Sequence, residues 1–129
     1  MLLVAAFTVL GLSTFVFLKG ELPLGWAMLL NSIASYMAFP VAHDATHSTV
    51  CANRRVNDWA GRISMLLLEP GSFFQVFRFV HMKHHSFTND SEKDPDVYCG
   101  TGPAWLLPFK WLTLDFKIYL SPELFKKKA

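Results

Sequence analysis

The sequence predicts an all-α integral membrane fold: a transmembrane helical hairpin followed by cytosol-facing and interfacial helices, forming part of a larger helical bundle. Three observations lead there. The 129 residues are 52% hydrophobic and only 17% charged, against about a quarter charged in ordinary soluble domains. Charge is unevenly placed, with only Lys19 and Glu21 among residues 1–42. And two long uncharged runs stand side by side, joined by a link too short for anything but a turn.

The first run, Met1 to Leu18, is just long enough to cross a hydrocarbon core of roughly 30 Å. Its Leu, Val and Phe residues contribute about −3 to −7 kcal/mol on the insertion scale when centrally placed. It lacks the basic n-region and small-x-small site of a cleaved signal peptide. The second run, Leu22 to Ala42, is weaker, because Pro23, Asn31, Ser32, Ser35 and Pro40 count against insertion, and it is expected to insert with help from the first. The link "KGELP" predicts a tight turn and hence an antiparallel hairpin. Arg54, Arg55 and Arg62 follow closely, and the positive-inside rule places that side in the cytoplasm.

Residues 43–100 form a more polar region. "CANRRVNDWAGR" reads as interfacial, with Trp59 as an anchor. "ISMLLLEPGSFFQVFRFV" is apolar but broken at Glu69-Pro70-Gly71, which predicts two short helices rather than a third span. "TNDSEKDPDVYCGTGP" is a turn region. Over 104–120, Lys110, Thr113, Lys117 and Ser121 share one helical stripe, although Asp115 falls off it. This predicts a helix lying in the bilayer interface or, equally, one awaiting a partner. "FKKKA" is a short basic end that could touch anionic lipid. Cys51 and Cys99 are too far apart for a CxxC site and are expected to be free thiols. No Lys/Arg stripe interleaved with aromatics suggests nucleic acid.

The chemistry lies in the histidines. All five occur in two boxes, His43 and His47 in "HDATH" and His81, His84 and His85 in "HMKHH". Positions i, i+3 and i+4 share a helix face, so each box presents its imidazoles together, while Met82 and Lys83 point elsewhere. Brought together, the two faces would offer five imidazole nitrogens to a common space. A lone HxxxH at a helix end is usually a satisfied surface pair, but a second box holding every remaining histidine predicts a metal site. Imidazole suits Fe, Zn, Cu and Ni. A structural zinc site closes with four ligands, often cysteines, and an HExxH protease would need Glu where Asp44 stands. A histidine-rich, thiol-free site near a bilayer fits an oxygen-activating iron centre, which keeps positions open for O₂.

"HDATH", then "HMKHH" followed by "TNDSEKDPD", resembles the membrane fatty-acid desaturase superfamily of lipid desaturases and carotenoid hydroxylases. "NRRVNDWAGR" and "DPDVYCGTGPAWLLP" are also similar to it, so the resemblance covers most of residues 40–108. The HDxxH form and the "DPD...GTGPAWL" stretch lean towards the carotenoid-hydroxylase-like branch without excluding acyl-lipid desaturases. The resemblance implies two non-haem iron ions at the cytosolic ends of transmembrane helices, O₂ activation with two external electrons, and hydrogen removal from an unactivated C–H bond. It makes His43, His47, His81, His84 and His85 iron ligands. Asp44 would orient an imidazole, as metal-bound histidines usually require, and Asp90, Asp94 and Asp96 could serve likewise, although a solvated acidic turn is the plainer reading for at least two of them. The implied partners are a fatty-acyl or carotenoid substrate, the membrane, and a ferredoxin or b-type cytochrome as electron donor.

The family pattern also includes a third box, another HxxHH, and no histidine follows His85. The expectation is an N-terminal portion of a longer protein, inactive alone. A membrane metal-binding or transport protein is the alternative of another class. It would place its histidines near the bilayer midplane rather than beyond the spans.

Overall fold

The computed structural model describes residues 1–69 and 73–121, the side chains of Asp115 and Tyr119 excepted. Their regular structure is all helical: α1 (Leu2–Leu18), α2 (Leu24–Thr46), α3 (Arg54–Leu68), α4 (Phe74–Phe87), a short α5 (Val97–Gly100), a 3-10 turn (Ala104–Leu106) and α6 (Leu107–Leu120). They fall into two compact units that divide within α4, after Arg78.

In the first unit, α1 ends as "KGELP" requires. Gly20 takes φ +77°, and Glu21 N–H and Gly20 N–H bond back to the Val16 and Phe17 carbonyls at 3.2 and 2.9 Å. That is a Schellman close, which calls for glycine at the left-handed position. Pro23, with its φ fixed, then leads into α2. The two helices pack through small residues. Ala27, Ala34, Ala38, Ala42 and Ala45 on α2, and Ala6 and Ser13 on α1, are all buried. Their spacing of three, four and seven puts each set in one stripe, and small side chains let the backbones approach. Within the seam, the Ser13 hydroxyl donates to Asn31 Oδ1, a polar tie that is more valuable where water is scarce.

The outer surface of this pair is large and apolar: Phe15, Leu18, Trp26, Met28 and Tyr36 are 59%, 76%, 60%, 61% and 77% exposed. Small side chains inside and large apolar ones outside invert the soluble pattern and mark a membrane-associated chain. Among the described residues α2 is the one helix long and apolar enough to cross a membrane by length and composition. At 1.5 Å per residue its 23 residues rise about 34 Å, whereas the 17 of α1 rise about 25 Å. Length and apolarity thus part company: α2 is the longer helix, while α1 is the more uniformly apolar, as its sequence predicts. The second run is the longer helix because it continues through Pro40 to Thr46 instead of stopping at Ala42. Pro40 costs one backbone hydrogen bond, a loss that helices within bundles tolerate.

Asn53 caps α3, its side-chain oxygen accepting from Arg55 N–H at 3.0 Å and Val56 N–H at 3.3 Å, as the N-cap position favours. The buried side of α3 carries Asn57, Gly61, Ser64 and Met65, and Met65 joins Ala42, Ala45 and Phe74 in the core. Gly61 leaves room for Phe74, since a Cβ there would lie 2.3 Å from ring atoms. The break expected at Glu69-Pro70-Gly71 coincides with the gap between α3 and α4, although Pro70 and Gly71 lie outside the described residues.

In the second unit, the polar stripe of α6 makes its contacts with α5 and the segment after it, although Thr113 and Lys117 stay exposed. Lys110 Nζ donates to the Tyr98 carbonyl at 2.9 Å and to the Thr101 carbonyl, the Thr113 and Tyr98 hydroxyls are 3.1 Å apart, and Lys117 lies over the Tyr98 ring at 4.1 Å. The helix thereby docks its polar side on α5 and leaves Trp105, Phe109, Trp111, Leu112, Phe116 and Leu120 exposed. Asp115's side chain and the "FKKKA" end lie outside the described residues.

Candidate metal centre

The first histidine box sits on the last turn of α2 rather than beyond it, which corrects the expectation that both boxes follow the spans. His43 is helical and His47 is the C-cap. Their ring centroids are 5.0 Å apart, the spacing of i, i+4 neighbours. Asp44 Oδ1 lies 3.2 Å from His43 Nδ1, on an exposed carboxylate.

A helix end leaves carbonyls without intrahelical partners, and here those of His43, Asp44 and Ala45 find donors. Thr46 Oγ1 donates to the His43 carbonyl at 2.6 Å and Thr49 Oγ1 to the Asp44 carbonyl at 2.9 Å. The Ala45 carbonyl, between the two histidines, accepts from Ser48 N–H at 3.2 Å, Asn57 Nδ2 at 2.9 Å and Arg78 Nη2 at 2.6 Å. The turn closes with Ser48 in the left-handed region at φ 61°.

The second box lies on α4. His81 Nε2 and His85 Nε2 face one another at 3.0 Å, with ring centroids 4.6 Å apart. Two nitrogens bound at about 2.1 Å and a right angle to one metal would stand about 3.0 Å apart. Without metal, the same contact is one N–H donating to the other ring's lone pair.

His84 is held differently. Its Nδ1 lies 2.8 Å from Asp94 Oδ1 and 3.5 Å from Asp96 Oδ2. Asp94 is buried, and both its oxygens are occupied: Oδ1 also accepts from Asp96 N–H at 2.9 Å, and Oδ2 accepts from Asn89 N–H at 2.8 Å. Burial would raise Asp94, but the His84 bond and the two backbone donors outweigh it and hold the carboxyl below its usual range. The Asp94 bond, partly opposed by burial, raises His84, while burial and the neighbouring Asp94 charge raise Asp96. An ionised Asp94 can only accept, so the His84 proton sits on Nδ1 and the Nε2 lone pair is left for a metal. His84, Asp94 and Asp96 could themselves gather round a cation, but Asp94's filled oxygens favour the orienting role. This is the carboxylate–histidine arrangement that fixes ring and tautomer in metal sites.

Asp90 serves the turn instead. Its Oδ1 accepts from Glu92 and Lys93 N–H at 2.9 and 3.0 Å, with Lys93 Nζ 3.5 Å from its other oxygen, and those backbone donors lower it against a smaller burial cost. Cys51 and Cys99 are free, and burial followed by the Asp96 charge pushes the Cys99 thiol up, away from the thiolate a soft metal needs. The donor set is therefore imidazole and carboxylate, which fits iron better than a thiolate-selecting metal.

Reading the sequence alone missed Asn57 and Arg78. Asn57 is fully buried, and its signal was present: it lies four residues before Gly61 and seven before Ser64, on the inward stripe of α3, where an amide needs a partner. Arg78 gave no such signal, because its targets, Asp58 and Ala45, are 20 and 33 residues away.

Comparison with known proteins agrees with this donor chemistry. Residues 21–127 match the fatty acid desaturase family. The chain is 34% identical over 74 residues to the sn-1 oleoyl-lipid 12-desaturase of Arthrospira platensis, covering 57% of this chain and 20% of that protein. It is 33% identical over 92 residues to beta-carotene 4-ketolase 3 of Haematococcus lacustris, covering 70% of this chain and 27% of that one. It is 35% identical over 69 residues to the chloroplastic omega-6 fatty acid desaturase of Arabidopsis thaliana, covering 53% and 14%. The chain thus spans about a quarter or less of the length of these relatives. No solved structure matches significantly. With the match running across both histidine boxes and the turn that follows them, the chain belongs to the fatty acid desaturase family.

Proposed function

We propose that this chain supplies two histidine boxes of an O₂-dependent, non-haem di-iron lipid oxidase, with desaturation of a fatty-acyl chain as the leading reaction. His43, His47, His81, His84 and His85 are the iron ligands of this reading. The observation that carries it is the pair of nitrogens in the second box, His81 Nε2 and His85 Nε2 at ligand spacing, with His84 presented by a buried carboxylate beside them in sequence.

Iron bound there would supply O₂ activation and abstraction of hydrogen from an unactivated C–H bond. The chain's own groups do the rest. Asp94 keeps the His84 proton on Nδ1. The α2 end holds His43 and His47 on one face. The apolar surface of α1 and α2 spans the membrane as a hairpin in this reading, and Arg54, Arg55 and Arg62 place the boxes on the cytoplasmic side. The exposed apolar side of α6 lies in the bilayer interface. Five imidazoles do not supply two irons in the manner the family implies, so the proposed centre is completed by residues outside this chain. Electrons come from an external ferredoxin or b-type cytochrome.

A carotenoid is the second substrate class, supported by the similarity to a beta-carotene ketolase over 70% of this chain. A longer protein containing this chain, expressed in membranes, tests both. Iron content, and aerobic, reductant-dependent oxidation of acyl lipids or carotenoids, are expected. His84→Ala is expected to abolish turnover and lower bound iron. Full iron loading and turnover in that variant would remove the ligand assignment. Metal flux across vesicles without lipid oxidation would favour a transporter instead.

A further inference from the structure

We infer that Asn57 and Arg78 form a clamp that positions the first histidine box through the Ala45 carbonyl. The inference rests on His43 and His47 being metal ligands, and it concerns what keeps them in place.

Ala45 lies two residues from each histidine, on the terminal turn of α2. Side chains from two other helices converge on its oxygen: Asn57 Nδ2 from α3 at 2.9 Å and Arg78 Nη2 from α4 at 2.6 Å. Neither is a surface contact of convenience. Asn57 is fully buried and spends its other end on Val50 N–H at 3.2 Å, so it bridges the end of α2 to the segment leaving it. Arg78 Nη2 also meets Asp58 Oδ1 at 2.7 Å, and its guanidinium lies over the Phe74 ring at 4.7 Å. Arg78 Nε is buried with no hydrogen-bond partner, a desolvation cost that a stray surface arginine would relieve by turning outward. The arginine is held where it is by what its Nη2 does.

A helix end otherwise frays, and each added donor on its last carbonyls resists that. Fraying here would rotate His43 and His47 away from one another. A carbonyl held by two side chains 12 and 33 residues away in sequence ties the box to the core instead of to its own helix alone. Arg78 and Asn57 act on the box through the backbone, at the Ala45 carbonyl, so they are positioning residues.

The test uses the full 129-residue chain in detergent micelles with cobalt(II) as the probe metal, following the d–d absorption of bound cobalt and the dissociation constant. Arg78→Met and Asn57→Ser are each expected to weaken binding about tenfold or more, the range of lost outer-sphere support. The double variant should lose more than the two single losses combined, because both donors serve one oxygen. Arg78→Lys keeps a cationic donor and should recover much of the affinity. Arg55→Gln, on the exposed side of α3, should change nothing. At saturating cobalt the band shape should differ in Arg78→Met, a change that loss of folded protein alone would not produce.

His43→Ala separates the two layers. If it weakens binding while Arg78→Met and Asn57→Ser match the wild type, the clamp is overturned and the ligand assignment stands. If His43→Ala leaves binding untouched, the ligand assignment fails and the clamp's role falls with it. Should Arg78→Met or Asn57→Ser fail to fold, Asp58→Asn replaces them: a weaker, altered cobalt spectrum upholds the clamp, and an unchanged one overturns it.

Discussion

The two histidine boxes are supported in opposite ways. The first is held through its backbone by distant residues, since Asn57 and Arg78 grip the Ala45 carbonyl from α3 and α4. The second is held through an imidazole by a nearby turn, since Asp94, ten residues away, accepts a hydrogen bond from His84 Nδ1–H. Backbone support fixes where a turn of helix lies and leaves its rings free to choose a rotamer. Carboxylate support fixes a ring and its tautomer. The contrast predicts that damage to the first box registers in stability as well as in metal affinity, and damage to the second in metal affinity with little loss of stability.

The largest expected effect is on the first box. Asn57→Ala removes two hydrogen bonds from a fully buried position and should cost about 2–4 kcal/mol of unfolding free energy in denaturation, through unpaired groups and a cavity. A loss below about 1 kcal/mol would mean water replaces the amide without penalty. Next is the second box. Asp94→Asn keeps the shape but gives up the charge, and cobalt affinity should fall about 10–100-fold while the end of α2 keeps its hydrogen-exchange protection. Equal damage to both boxes would erase the distinction.

Gly61→Ala probes the packing beneath the first box. Its new Cβ would meet the buried Phe74 ring at 2.3 Å, with an expected cost of about 1–3 kcal/mol and little change at His84, as ring chemical shifts would report. Asn53→Ala removes the α3 cap and should cost about 1 kcal/mol.

The smallest effect is one of pH. The Arg78 hydrogen bond, against some burial cost, holds Asp58 below its ordinary 3.8. A lowered carboxylate contributes stability that is complete above the unfolded value and lost as pH falls through the folded one. Between about pH 5 and pH 2, wild type should therefore lose more stability than Asp58→Asn. Parallel curves would show that the Asp58–Arg78 pair adds nothing.

The same contrast explains how far the sequence could be read. Local chemistry was legible. The spacing in "HDATH" and "HMKHH" placed each set of imidazoles on one helix face, "KGELP" announced the turn after α1, and the acidic residues after the second box included the one that meets His84. Where readings missed, the cause was tertiary. The uncharged run stops at Ala42, yet α2 continues to Thr46, and Ala45 in that last turn packs into the core with Met65 and Phe74. The polar stripe of Lys110, Thr113 and Lys117 was legible as a stripe, but its partner, Tyr98, was not.

By itself the sequence determined an all-helical chain with apolar runs suited to lipid, and five histidines in two boxes, because those properties follow from composition and from periods of three and four residues. Only the tertiary structure decided what holds each box. Whether a buried amide at Asn57 or a guanidinium at Arg78 reaches Ala45, and which of several aspartates reaches His84, depends on chain segments meeting in space. No periodicity records that.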